Sequence, residues 1–190
     1  MIHARTAAIW AVVRTLRGPS LAVRYIVPYG PRQSLDSYHF TGGLTHMTAV
    51  GCGQYRYEMV ENWAHLPHDL KFGVVTGVAV DSQDRVYICQ QRQAPPVIVF
   101  TRDGGYLNSW GADYIIEPHT IFIGPDDTMY LADRGAHVCL KLTLDGKRLL
   151  ELGVRGYPSD TGCTEDEGNV LRAGAPFNRP TRMLPSPSGD

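Results

Sequence analysis

Residue types able to do chemistry are thinly spread along these 190 residues. Of the seven histidines, His65 and His68 stand at helical spacing, but they flank Pro67 in AHLPHDLKFG. That stretch reads as a surface loop, because proline interrupts a helical turn. His119, in EPHTIFIG, opens an apolar run; a lone imidazole there satisfies a local hydrogen bond as readily as it ligates a metal. Arg92, in CQQRQAPP, is by its surroundings a solvated loop cation. Asp133, in YLADRG, fits a carboxylate that accepts main-chain hydrogen bonds and ties down its loop. Cys52, Cys89, Cys139 and Cys163 lie far apart without a CxxC pair. This argues against a zinc knuckle and against a dense disulfide framework, and leaves the redox compartment and any cysteine pairing open. No Gly-rich phosphate loop, Ser-His-Asp set or Cys-His set is legible. Any site must be assembled from distant parts of the chain.

Composition bounds what those parts are. A chain that is 43% hydrophobic and 19% charged is ordinary globular material. Eighteen basic against nineteen acidic residues leave a net charge of −1, with no electrostatic footprint for a phosphate backbone, so nucleic acid is not an expected partner. The acidic run TEDEGN, residues 164–169, reads as a solvated loop. At the N-terminus an apolar run of about eight residues is short for a secretory segment, and it is followed closely by Arg14 and Arg17 without an A-x-A-like site. No apolar run approaches the ~20 residues of a membrane span. A soluble protein, cytoplasmic or secreted, is the expectation.

Twenty glycines and thirteen prolines spread along the chain are turn punctuation for many short strands, and an all-β fold follows. Residues 1–46 show no sustained period and are expected to be irregular or disordered. Met47 stands just before the patterned region, which allows an early start-site assignment. YRYEMVENW, residues 55–63, alternates as one half-buried strand. It is expected to be the outer strand of a last repeat whose partners lie outside the chain.

Two copies of one unit follow. Residues 77–111 (GVAVDSQDRVYICQQRQAPPVIVFTRDGGYLNSWG) and 120–153 (TIFIGPDDTMYLADRGAHVCLKLTLDGKRLLELG) each read as strand, acidic turn, strand, polar loop, strand, Asp-Gly turn and a final strand ending in Gly. Gly77 and Thr120 are 43 positions apart, and Gly111 and Gly153 are 42 apart. Asp103-Gly104 and Asp145-Gly146 fall in register and predict a two-residue hairpin at each place. A third copy begins at about residue 179, in RPTRMLPSPSGD, where Arg182 takes the position of Gly77 and Thr120. In it Pro185 replaces Val80 and Ile123 and removes a ladder donor. Four-stranded repeats of about 40 to 50 residues predict propeller blades, so residues 47–190 are expected to be a partial β-propeller.

The second copy, with YLADRGAHVCLKLTLDGKRLLELG, resembles an NHL repeat. Taken with VTGVAVDSQDRVY and GAPFNRPT, the region from Tyr55 to Asp190 is similar to the six-bladed NHL propellers of the peptidyl-α-hydroxyglycine α-amidating lyase type. The resemblance implies a catalytic zinc held in the central channel by three histidines from different blades, of which Pro118-His119 matches one. It implies a structural calcium bound partly by main-chain carbonyls at positions matching Val78 and Ile121. It also implies an active-site arginine at Arg92, which would hold the substrate carboxylate while zinc polarises the hydroxyl and the C–N bond breaks to an amide and glyoxylate. The neighbouring His and acidic residue of that pattern are replaced by Gln93, Ala94 and Pro95. Thr76 and Thr181 stand where further zinc histidines would be.

With two complete copies and a third only begun, the chain is expected to be a fragment of such a lyase, inactive alone and prone to self-association through exposed blade edges. Two other functions fit the residues. One is a non-catalytic propeller module that binds protein or peptide at the channel mouth; among partners, a peptide or a small-molecule ligand is expected. The other is a calcium-dependent hydrolase of the lactonase type, which needs several channel carboxylates not evident in the two copies.

Overall fold

The computed structural model describes residues 12–15, 49–52, 55–60, 62–163 and 169–186. The chain divides into two compact units, Met1–His65 and Leu66–Asp190. Among the described residues every regular element is a strand.

The first unit carries a three-stranded antiparallel sheet in the order β1-β3-β2, with β1 Val12–Thr15, β2 Ala49–Cys52 and β3 Tyr55–Val60. Val12 pairs with Val60 on one side of β3, and Cys52 with Tyr55 on the other. This corrects the expectation for the 55–63 strand. It is shorter, and both its neighbours come from this chain, one of them from the segment expected to be irregular. Asn62, at φ 53°, takes the left-handed conformation that Asn tolerates best, just beyond the strand. Trp63 follows it and is buried.

The second unit holds two four-stranded antiparallel sheets, each a meander of sequential strands. The first is β4 (Val74–Val80), β5 (Val86–Gln91), β6 (Val97–Phe100) and β7 (Tyr106–Trp110). The second is β8 (Pro118–Ile123), β9 (Met129–Asp133), β10 (Val138–Leu142) and β11 (Arg148–Gly153). In the third copy the described residues 179–186 form no strand, in keeping with a proline where the ladder needs a donor.

The repeat extends to individual hydrogen bonds. In the first turn of each sheet, Asp81 N–H donates to the Arg85 carbonyl at 3.1 Å, as Gly124 N–H does to Thr128 at 2.9 Å. Asp84 and Asp127 occupy the matching left-handed position at φ 59° and 57°. In the last turn, Thr101 N–H donates to Gly105 and Thr143 N–H to Lys147, with Gly104 and Gly146 at φ 87° and 90°. These are three-residue loops closed by a bulge, with a single left-handed residue in each, in place of the two-residue hairpins the Asp-Gly pairs predict. The Thr101 and Thr143 hydroxyls accept from the N–H of Gly105 and Lys147 at 2.9 and 3.0 Å, which stabilises the longer form.

The two sheets pack face against face. Cys89, Val97 and Val99 of the first meet Met129, Leu131 and Leu140 of the second, and Ile115 from the connection fills the same core. Every residue of β5, β6 and β9 is buried. Strands covered on both faces read as continuous apolar runs, which is what VYIC and VIVF are. Of the last strands, β11 is largely exposed and β7 is half-buried, with only Leu107 and Asn108 exposed. At the other edge β4 and β8 approach so closely that a Cβ at Gly77 would stand 3.0 Å from the Ile121 nitrogen.

Trp110 lies beneath the β10–β11 turn, where a Cβ at Gly146 would meet its ring at 2.7 Å. Gly146→Ala therefore combines left-handed strain with a clash against the packed ring, whereas Gly156, at φ 77°, has open space around it. Urea unfolding is expected to show a loss of about 1–2 kcal/mol for Gly156→Ala and about 1–3 kcal/mol more for Gly146→Ala. Equal losses would contradict the packing of Trp110 under this turn.

Candidate functional site

Arg92 and His119 fall at one end of the two sheets. Arg92 follows the last residue of β5 in a left-handed conformation, φ 62°, with its side chain exposed and no ion pair among the described residues. His119 is the second residue of β8. The residues preceding them are joined, since Gln91 Nε2 donates to the Pro118 carbonyl at 2.9 Å. Thr76 Oγ1, the counterpart of His119 in the first copy, donates to the same carbonyl at 2.8 Å. One main-chain oxygen thus fixes the end of β5 and the start of β4 to the start of β8.

His119 is half-buried, with Nδ1 3.1 Å from the Thr181 carbonyl. A carbonyl can only accept, so this bond places the proton on Nδ1 and the ring lone pair on Nε2, the arrangement of a metal-binding imidazole with an oriented ring. A zinc site needs three or four such donors at ~2.0–2.3 Å. Among the described residues no three His, Cys, Asp or Glu side chains converge to hold a metal, and Thr76 and Thr181 are engaged in the hydrogen bonds just described. Val78 and Ile121 lie on the adjacent strands β4 and β8, but main-chain carbonyls alone do not provide the carboxylates of a calcium site. The described residues by themselves fit neither zinc nor calcium, and they lack the carboxylate cluster of a lactonase-type site.

Asp133, the last residue of β9, ties down the adjoining loops. It is fully buried and accepts from Ile116 N–H (Oδ2, 2.9 Å), Glu117 N–H (Oδ1, 2.9 Å) and Ala136 N–H (Oδ1, 3.1 Å). Its counterpart 43 positions earlier is Gln90, whose Oε1 accepts from Gly73 N–H at 2.8 Å and whose Nε2 donates to Pro95 at 2.9 Å. This equivalence was hidden in the sequence because the two side chains differ in charge.

Sequence reasoning also missed a cleft of about 250 Å3, lined by Arg85, Tyr87, Val99, Leu107, Asn108, Leu144 and Asp145. Arg85 precedes β5 and Arg92 follows it, so cleft and Arg92 lie at opposite ends of that strand. Buried Asp81 organises the cleft wall. Its Oδ2 accepts from Arg85 Nε at 2.6 Å and from the Tyr87 hydroxyl at 3.1 Å, and its Oδ1 from two main-chain N–H groups. Desolvation, with the Asp81 charge, pushes the Tyr87 hydroxyl up to about 12. The repeated spacing gave no cue, because the position of Asp81 is occupied by Gly124 in the second copy.

Cys89 and Cys139 are structural. Burial pushes the Cys89 thiol up to about 12, and its sulfur lies 3.2 Å from Thr76 Oγ1; burial also raises Cys139. Neither is a nucleophile near neutral pH.

His65 and His68 are exposed beside a turn in which Leu70 N–H donates to Pro67, as a surface loop requires. No protein-family model matches the chain, and no curated protein matches it.

Asp133→Ala would leave three main-chain donors without an acceptor, and Gln90→Ala one. Denaturant unfolding is expected to show a loss of about 3–5 kcal/mol for the first and about 1–2 kcal/mol for the second. A smaller loss for Asp133→Ala than for Gln90→Ala would refute the anchoring role.

Proposed function

We propose that the Leu66–Asp190 unit is an array of consecutive β-propeller blades of the NHL type, similar to those of the amidating lyases, and that this chain alone has no lyase activity. The recurrence of each sheet's seating on the next carries the blade reading. Ile115 lies over Gly111, and Phe177 lies over Gly153. The Thr76 hydroxyl donates to the Pro118 carbonyl, and at the matching place in the second sheet His119 Nδ1 bonds the Thr181 carbonyl at 3.1 Å, with the Thr120 hydroxyl donating to the same oxygen at 2.9 Å. Residues 177–181 thus begin a third unit on the second sheet much as residues 115–119 begin the second on the first. A ring of wedges requires such a repeated step, because each sheet has two apolar faces to cover.

The lyase type is supported by the resemblance and by the shared end of Arg92 and His119. Metal chemistry of that type needs imidazoles additional to His119, so no metal-dependent step follows from these residues. What they can do is bind. An exposed guanidinium beside a loop fixed by Gln90 suits a bidentate contact with a peptide or small-molecule carboxylate. Its exposure favours, as a second reading, a non-catalytic module that takes such a ligand at this end. The exposed Leu149, Leu150 and Leu152 on the last strand support self-association through the outer edge.

The purified chain, supplied with zinc and a peptidyl-hydroxyglycine, is expected to release no glyoxylate and to retain less than ~0.1 zinc per chain after dialysis. Glyoxylate release with about one zinc per chain would overturn the inactivity. For the binding reading, Arg92→Ala is expected to weaken calorimetric binding of a peptide carboxylate about tenfold; unchanged affinity would remove Arg92 from the site.

A further inference from the structure

Residues 177–181 form a strap across the second sheet, and its fixings are polar and specific. Phe177 lies over Gly153, and its carbonyl accepts from Ser159 N–H at 2.8 Å. Asn178 Nδ2 reaches the Ser159 carbonyl, Thr161 Oγ1 and the Cys163 carbonyl at 3.2, 2.9 and 3.2 Å. The Thr181 carbonyl accepts from Thr120 Oγ1. Between these, Arg179 N–H donates to His137 Nδ1 at 3.1 Å. His137 itself holds a left-handed backbone, φ 59°, ahead of β10.

We propose that His137 is a pH-sensitive latch: its neutral Nδ1 accepts the Arg179 N–H and holds the strap on the second sheet, and protonation of the ring releases it. An imidazolium has N–H on both ring nitrogens, so it would set a donor against a donor at this contact. The contact exists only in the neutral ring.

The charges around the ring act in the same sense on balance. Burial is the largest influence and lowers the His137 pKa below its ordinary value of 6.5. The Arg179 guanidinium on the strap lowers it further, and the Asp133 carboxylate at the end of β9 opposes both. Asp133 is itself shared with Arg155, whose guanidinium is 4.0 Å away. Because the docked pKa is depressed, the latch is at full strength above about pH 6.5 and weakens as the pH falls through the docked value. Release would uncover Gly153 and the β8 edge at Thr120, where the strap now lies.

Amide hydrogen exchange on the full chain, with protection factors corrected for intrinsic rates, tests this between about pH 7.5 and about pH 5. Protection at Arg179 is expected to fall about tenfold while Leu140 in β10 is unchanged. His137→Asn keeps an acceptor near the Nδ1 position and tolerates the left-handed backbone, so its Arg179 protection is expected to be flat with pH. Unchanged protection in the wild type, or the same fall in His137→Asn, overturns the latch.

A second measurement decides the matter should His137→Asn lower protection at every pH. Linkage requires the His137 ring, titrated by NMR, to have a higher pKa in Phe177→Ala, where the strap is loosened, than in the wild type. An equal pKa in the two proteins rejects the proposal.

Discussion

The close seating of one sheet's face on the next governs this structure. A four-stranded meander of short strands has two faces, and the middle strands β5 and β9 are buried on both. Neither sheet could keep that burial alone in water, since about 25 cal/mol is lost for each Å2 of apolar surface re-exposed. The core is therefore a property of the pair: Met129 and Leu131 belong to it only because Cys89 and Val97 stand opposite. The same dependence continues at the far face of the second sheet, where the strap supplies Phe177.

Apolar faces give adhesion but little register, and polar clamps at the sheet edges supply it. The Pro118 carbonyl takes two side-chain donors from the first sheet. At the turns, Ser82 donates through its hydroxyl and its N–H to Asp127, at 2.5 and 2.9 Å. These bonds fix how far one sheet slides on the other. They hold Asp127 below the usual carboxylate range through the Ser82 hydrogen bonds, chiefly the hydroxyl's. Gly77 completes the fixing by allowing β4 and β8 to touch at backbone distance.

The strands and turns of the second unit were legible in the sequence because spacing and turn chemistry agreed. Asp-Gly pairs recur at a fixed interval between apolar runs, and the eight strands fall where those runs stand. The loop length was not legible, since it depends on a threonine hydroxyl accepting from the main chain. The pairing of β3 was misread for a different reason. A strand's alternation identifies its faces and says nothing about which segment pairs with its edges, so the neighbours of β3 were invisible. At the candidate site the positions of His119 and Arg92 were readable and their relation was not. The Gln91–Pro118 bond that joins them is made by an uncharged side chain and a carbonyl, neither of which carries a motif.

That distribution has a physical basis. Each repeat contributes one side chain at the start of its first strand: Thr76, His119 and Thr181 here. A site built at such positions collects one group per sheet, so its chemistry depends on how many sheets are stacked and on which residue each places there. The hydroxyl of Thr76 fastens the first sheet to the second and the carbonyl of Thr181 fastens the strap to the second, whereas the neutral imidazole of His119 retains a nitrogen lone pair after its own bond. At this position the threonine of the first copy spends its one hydroxyl on fastening, whereas the histidine of the second fastens through Nδ1 and keeps its second ring nitrogen out of that bond.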